Sequence, residues 1–178
     1  LRQKGFSVSL VDAEAEELTP DQVAQQICAL RPRLAIVVVY GHQPSASTQN
    51  MTAAGAICAA VKRRSSEQLV VLVGGHVAAL PERTLQEEEA DFVCGGEGPY
   101  TLQDLLEALA SSRTPEYHRV RGLWYRDHAG TIQQGPPAPL IKDLDREMPA
   151  LAWDLLPMEK YRAHNWHCLE DLKRQPYA

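Results

Sequence analysis

The spacing of apolar positions changes several times along the chain, and each change marks an element. Leu1–Lys4 reads as the last turn of a helix, with Gly5 as its C-terminal cap. Phe6-Ser-Val-Ser-Leu-Val-Asp12 alternates apolar and polar residues, the period of a strand. Thr19-Pro20-Asp21-Gln22 is a helix start: Thr19 caps, Pro20 takes the first helical position, and Gln22 completes a capping box. Val23, Ile27 and Leu30 keep helical spacing until Arg31-Pro32 ends the run. Leu34–Tyr40 is apolar throughout, which predicts a strand buried on both faces of a parallel sheet. A polar loop over 41–48 follows, then a helix from about 49 to 64 with Ala54, Ile57, Cys58 and Val61 facing inward.

The stretch from Leu69 to Leu106 organises the rest. Val70–Val73 is a short β-branched strand stopped by Gly74-Gly75 and His76. A short helix is predicted near Pro81–Glu88, then a strand at 91–94, stopped by Gly95-Gly96-Glu97-Gly98. Pro99 opens a helix that carries Leu102, Leu105, Leu106 and Leu109 on one face. Strands and helices alternating in this way give an α/β fold, a Rossmann-like (flavodoxin-like) parallel sheet with helices on both faces. Ligands of such sheets bind at the carboxyl ends of the strands. Here the loops 41–48, 74–80 and 95–98 make that edge. Paired glycines after two successive strands suit a bulky ligand approaching the backbone, and they suit tight turns and helix caps equally well. Beyond residue 111 the pattern changes. Gly122–Ile132 reads as a small hairpin turned by Asp127–Gly130, Pro136–Pro139 as a stiff linker, and Lys142–Ala178 as an extended connector holding Trp153, Met158 and Trp166. The divisions are thus 1–112, 113–140 and 141–178.

Composition narrows the function. A hydrophobic fraction of 44% over 178 residues can build a core. A net charge of -5 with no basic block argues against nucleic acid. No apolar run approaches the roughly 20 residues of a membrane span. The chain begins without Met, inside what reads as a βαβ unit, so a first strand is expected upstream. Four cysteines, Cys28, Cys58, Cys94 and Cys168, lack metal spacing, and Cys28 and Cys58 sit on apolar helix faces, which suits a reducing cytoplasm.

No nucleophile elbow, zinc-protease motif, phosphate loop or dinucleotide fingerprint is present. The candidate residues are those of the edge. His42 and His76 could bind a transition metal or an amide, or simply face water. Ser45, Ser47 and Thr48 could bond a ligand rich in amides, and Ser47 or Thr48 also suits a helix N-cap. Glu97 could accept from a ligand or cap the helix at Pro99. Glu87-Glu88-Glu89 reads as a solvated face. His164, His167 and Cys168 lie close in sequence but lack a standard zinc spacing.

The run Gly74-Gly75-His76, Leu80-Pro81-Glu82, Leu85, Ala90-Asp91-Phe92-Val93, Gly96-Glu97-Gly98, Thr101-Leu102 and Leu105-Leu106 resembles the cobalamin-binding domain of radical S-adenosylmethionine enzymes. Asp143-Leu-Asp145, Pro149, Ala152–Met158 and Tyr161 resemble the connector that joins it to an iron–sulfur domain. The resemblance covers nearly the whole chain. It implies cobalamin as cofactor, held by Gly41, His42, Gln43, Ser45, Ser47, Thr48, Gly74, Gly75, His76 and Gly95–Gly98. If the chain supplies a cobalt ligand, His42 would be the candidate; an amide, a water or no ligand at all are the alternatives. For a longer parent protein it implies a four-iron–four-sulfur cluster and S-adenosylmethionine in a radical domain of the same chain. That parent would be a cytoplasmic methyltransferase or cyclase, free of nucleic acid and membrane, and the fragment by itself no catalyst. The C-x-x-x-C-x-x-C motif of that domain is absent, and Asp12-Ala-Glu14 is not the D-x-H-x-x-G motif of better-known cobalamin domains. The alternatives read from the residues are a cofactor-free sensor or protein-interaction domain of the same fold, and a nucleotide-sugar or dinucleotide enzyme half. A first strand lost upstream would leave unpaired strand edges. The 178-residue chain alone is then expected to lack a sharp, cooperative thermal transition above about 50 °C, which calorimetry would check.

Overall fold

The runs after residue 34 that read as buried strands do pair side by side in the computed structural model, which describes residues 1–41, 43–112, 114–148, 151–163 and 175–176. β1 (Ala35–Val39), β2 (Val70–Gly74) and β3 (Phe92–Cys94) are parallel, with Val39 opposite Gly74 and Val71 opposite Phe92. The hairpin of β4 (Leu123–Arg126) and β5 (Ile132–Gln134) adds to β3 antiparallel, giving one five-stranded sheet in the order β1-β2-β3-β4-β5. Its turn is closed by the Gly130 N–H donating to the Asp127 carbonyl at 2.9 Å.

Alternate strand residues feed two cores. Val70, Leu72 and Val93 pack with Ala54, Cys58 and Val61 of α2 (Pro44–Arg64), Val77 of α3 (Gly75–Ala79) and Leu85 of α4 (Pro81–Glu87). α1 (Pro20–Leu30) packs against α2 and adds Ala24. Val71, Val73, Phe92 and Cys94 face the other way, onto Leu105 of α5 (Pro99–Ser111). The helices therefore lie on both faces, as the alternation predicts. The capping box of Thr19 and Gln22 is formed.

The structure corrects four local expectations. Residues 6–12 take no regular secondary structure and form no strand. Alternation alone cannot hold a strand without a ladder partner, and β1 closes the described sheet on that side. The 34–40 run is not buried on both faces: Val38 is 63% and Tyr40 52% exposed. β1 is an edge strand, and the core around α5 takes Leu34 and Ile36 but not Val38. The loop expected over 41–48 is mostly helix. α2 starts at Pro44, whose fixed φ suits a first helical position, and Gln43 rather than Ser47 or Thr48 stands at its N-cap. The segment 74–80 likewise contains α3, a short helix the sequence did not announce.

The N-terminal segment touches the connector. Tyr161 Oη donates to Asp12 Oδ2 at 2.5 Å, and Arg2 pairs with Asp154 at 2.8 Å. His164, Trp166, His167 and Cys168 lie outside the described residues. Among the described residues no group of three or more His, Cys, Asp and Glu is placed to hold a metal, and no helix is long and apolar enough to cross a membrane.

Candidate functional site

Parallel pairing brings the ends of β1, β2 and β3 to one edge, and the segments that follow them hold the predicted residues. Ser47, in the first turns of α2, is 1% exposed. Its Oγ donates to the Val39 carbonyl at 2.5 Å and accepts from the His76 N–H at 2.9 Å. One hydroxyl thus pins the starts of α2 and α3 to the end of β1. Beside it, Thr48 Oγ1 and His76 Nδ1 are 3.0 Å apart. Asn50 Nδ2 donates to the Tyr40 carbonyl at 3.0 Å. On the third segment, Glu97 Oε2 accepts from the Ile141 N–H at 2.7 Å. Gln43 and Ser45 are exposed at the mouth. His42 lies outside the described residues.

The glycines of this edge divide into two groups. A Cβ at Gly41 would lie 2.2 Å from Ala46 Cβ, one at Gly74 2.2 Å from the Val39 carbonyl oxygen, and one at Gly95 2.6 Å from Trp124 Nε1. Gly98 has φ +94°, where side chains are strained, and its Cβ would lie 2.9 Å from Val73 Cγ1. The chain's own packing demands these four. Gly75 and Gly96 are different. A Cβ there would meet only Ser47 at 3.7 Å and Ala138 at 3.9 Å, ordinary contacts, and neither has a left-handed φ. Gly75 is exposed and Gly96 half-buried, so both leave bare backbone at the edge for no reason internal to the fold.

The edge carries neutral donors. Burial pushes the Cys94 thiol up to about 12, so it offers no thiolate at neutral pH. The Tyr40 phenol is also raised, first by desolvation and then by Cys94 and Glu97, so it keeps its proton. Tyr40, Asn50 and Trp124 belong to the edge, yet sequence reading did not single them out. Tyr40 was hidden as the last residue of an apolar run. Trp124 reaches Gly95 only because β4 pairs with β3.

Residues 1–106, which carry all three edge segments, match the family described as the B12 binding domain. The chain belongs to that family. This B12-binding domain is 34% identical over 157 residues to the "uncharacterized methyltransferase PH0819" of Pyrococcus horikoshii, covering 88% of this chain and 32% of that protein. It is 28% identical over 165 residues to the anaerobic magnesium-protoporphyrin IX monomethyl ester cyclase of Synechocystis, covering 90% of this chain and 30% of the cyclase. The chain thus spans about a third of the length of these relatives. Two solved structures share the fold. One is the cobalamin-dependent S-adenosylmethionine radical enzyme OxsB with aqua-cobalamin and S-adenosylmethionine, at TM-score 0.56 and 18% identity over 78% of this chain and 18% of that one. The other is the radical S-adenosylmethionine methyltransferase TsrM of Kitasatospora setae with cobalamin and a [4Fe-4S] cluster, at TM-score 0.58 and 19% identity over 84% of this chain and 26% of that one. The flavodoxin-like fold expected from alternation is therefore the fold of the B12-binding domain. Membership of the family speaks against the cofactor-free reading.

Proposed function

We propose that this B12-binding domain seats cobalamin against the C-terminal edge of β1, β2 and β3, as the cofactor-holding module of a radical S-adenosylmethionine methyltransferase or cyclase. The observation that carries the seating is the pair Gly75 and Gly96, which expose backbone that the fold does not need bare. A corrin is a wide plate with amide arms, and it needs both close approach and hydrogen-bond partners. Gly75 and Gly96 give the approach. Thr48, His76 and the neutral Tyr40 phenol line the same edge as partners. Ser47 acts behind them, holding α3 in place. The residues present therefore fit the group. When bound, cobalamin supplies methyl-transfer chemistry at cobalt, while this chain binds and orients it. His42 is the proposed cobalt ligand, from its place just after β1. The iron–sulfur cluster and S-adenosylmethionine are proposed for a radical domain of the same chain, in keeping with the names of the relatives. Cytoplasm is the proposed compartment, in keeping with the free cysteines Cys28, Cys58 and Cys94. The net charge of -5 disfavours nucleic acid as a partner.

The test is direct. The protein is mixed with hydroxocobalamin, freed of excess by gel filtration, and its visible spectrum recorded. A stoichiometric corrin spectrum is the expected result, and a colourless folded protein overturns the proposal. After reduction, electron paramagnetic resonance of the parent and of His42→Ala reads the axial ligand. Nitrogen hyperfine structure lost in the variant assigns the ligand to His42, and unchanged structure removes that role.

A further inference from the structure

The linker after β5 is laid across the β3–α5 turn at several points. Its start is fixed by the Gly135 N–H donating to the Leu123 carbonyl at 2.8 Å, and by the Gly122 N–H donating to the Pro136 carbonyl at 2.6 Å. Its middle rests Ala138 on two glycines. A Cβ on Gly122 would come within 2.9 Å of the Ala138 methyl and one on Gly96 within 3.9 Å. Its end is held by one side chain, through the Ile141 N–H to Glu97 Oε2 bond at 2.7 Å. Gly96 and Glu97 are neighbours, so the backbone left open toward the sheet edge and the anchor of the linker sit on adjacent residues. Beyond Ile141 the chain turns into the connector, with Asp143 capping the short helix α6 (Leu144–Glu147).

We propose that Glu97 is a positioning residue that couples the cofactor edge to the connector: its carboxylate holds Ile141, so the turn that meets the corrin and the start of the connector move as one. This rests on the seating proposed above. A corrin against Gly96 restrains the β3–α5 turn, and through Glu97 it restrains Ile141. Conversely, an anchored linker holds Ala138 beside Gly96 and closes that side of the seat. The demand on residue 97 is a hydrogen-bond acceptor at carboxylate reach. Gln meets it and Ala does not.

The experiment is hydrogen–deuterium exchange of the Ile141 amide in the parent, Glu97→Ala and Glu97→Gln, each without and with hydroxocobalamin, together with the rate of corrin loss on dilution. Without corrin, Glu97→Ala is expected to speed exchange at Ile141 by about tenfold or more, and Glu97→Gln to restore most of the protection. With corrin, Ile141 is expected to slow further in the parent and in Glu97→Gln but not in Glu97→Ala. Corrin loss should quicken severalfold in Glu97→Ala alone. Equal Ile141 exchange in parent and Glu97→Ala overturns the anchor. A bound corrin that leaves Ile141 unchanged in the parent overturns the coupling. If the protein retains no corrin, the seating itself fails, and the corrin-free comparison still decides the anchor. Glu97 is exposed and on a turn, so none of these variants removes a core contact.

Discussion

Gly75→Leu is expected to lose cobalamin, with affinity falling by about 100-fold or more, while its thermal midpoint stays within about 2 °C of the parent. The reason is where the new side chain goes. Gly75 is the exposed first residue of α3, and its nearest foreign atoms stand 3.7 Å from the position a Cβ would take. A helical position without strain favours any side chain over glycine, by about 0.5–1 kcal/mol for Ala, so stability has no reason to fall. The remaining atoms of Leu project outward from the edge, into the space proposed for the corrin. The neighbouring residue gives the contrast. Gly74→Ala adds a single carbon, but that carbon would lie 2.2 Å from the Val39 carbonyl oxygen and 2.9 Å from its carbon, in the β1–β2 ladder. Backbone must shift, at a cost of about 3 kcal/mol, or roughly 6–12 °C in midpoint for a domain of this size. Thermal melts and corrin retention on the same samples separate the two residues. If Gly75→Leu retains corrin as tightly as the parent, the docking face is wrong. If Gly74→Ala melts with the parent, its packing demand is wrong.

Both glycines look alike in sequence, and that marks how far the sequence could be read. Strand and helix order was legible because burial imposes it: Val70–Val73 and Phe92–Cys94 feed two cores, and Thr19-Pro20 with Gln22 writes its helix start in local hydrogen bonds. What local pattern did not carry is the identity of neighbours. Phe6–Asp12 has the alternation of a strand and no partner strand among the described residues, so it forms no strand. Leu34–Tyr40 has the composition of a central strand; β1 ends the described sheet, the kind of unpaired edge expected above, but that the core around α5 stops short of Val38 was not legible. In the site, the edge itself followed from the fold rule, but the roles did not. The sequence offers Ser47 as a ligand-facing hydroxyl or a helix N-cap, whereas its two hydrogen bonds tie α2 to the end of β1 and to the start of α3. Trp124 became visible only once β4 was known to lie against β3. Whether a glycine is needed by the chain or left bare for a visitor depends on atoms distant in sequence, here the Val39 carbonyl at 2.2 Å for Gly74 and only Ser47, at an ordinary 3.7 Å, for Gly75.

At the opposite end of the sheet, Asp91→Ala is expected to destabilise the fold by about 3 kcal/mol without weakening corrin retention in the protein that remains folded. Asp91 sits just before β3. Its Oδ2 accepts from the Val70 N–H at 2.7 Å, and its Oδ1 accepts from Lys62 Nζ at 2.8 Å. The same Nζ donates to the Gln68 carbonyl at 2.8 Å and to the Ser66 carbonyl at 3.2 Å. One carboxylate and one ammonium therefore join the end of α2, the turn after it, and the starts of β2 and β3. Truncation leaves the Val70 N–H without its acceptor at a fully buried residue, worth about 1–3 kcal/mol. It also leaves Lys62 without its counter-charge. The side chains are 15% and 28% exposed, so solvent screens part of that loss and the figure of about 3–5 kcal/mol for a fully buried pair is an upper bound. Asp91→Asn separates the two contributions. Its amide oxygen can still accept from the Val70 N–H, so only the charge is lost, and the cost should drop to about half that of Ala. Urea unfolding of the three proteins checks the order parent, Asn, Ala. Equal stability of Asn and Ala would assign the whole effect to the ion pair, and Ala as stable as the parent would remove Asp91 from the forces that set the β2–β3 start. Because parallel strands place this cluster and the ligand edge at opposite ends of the same strands, a loss of corrin binding by folded Asp91→Ala would mean that the seat extends through the sheet rather than along its C-terminal rim.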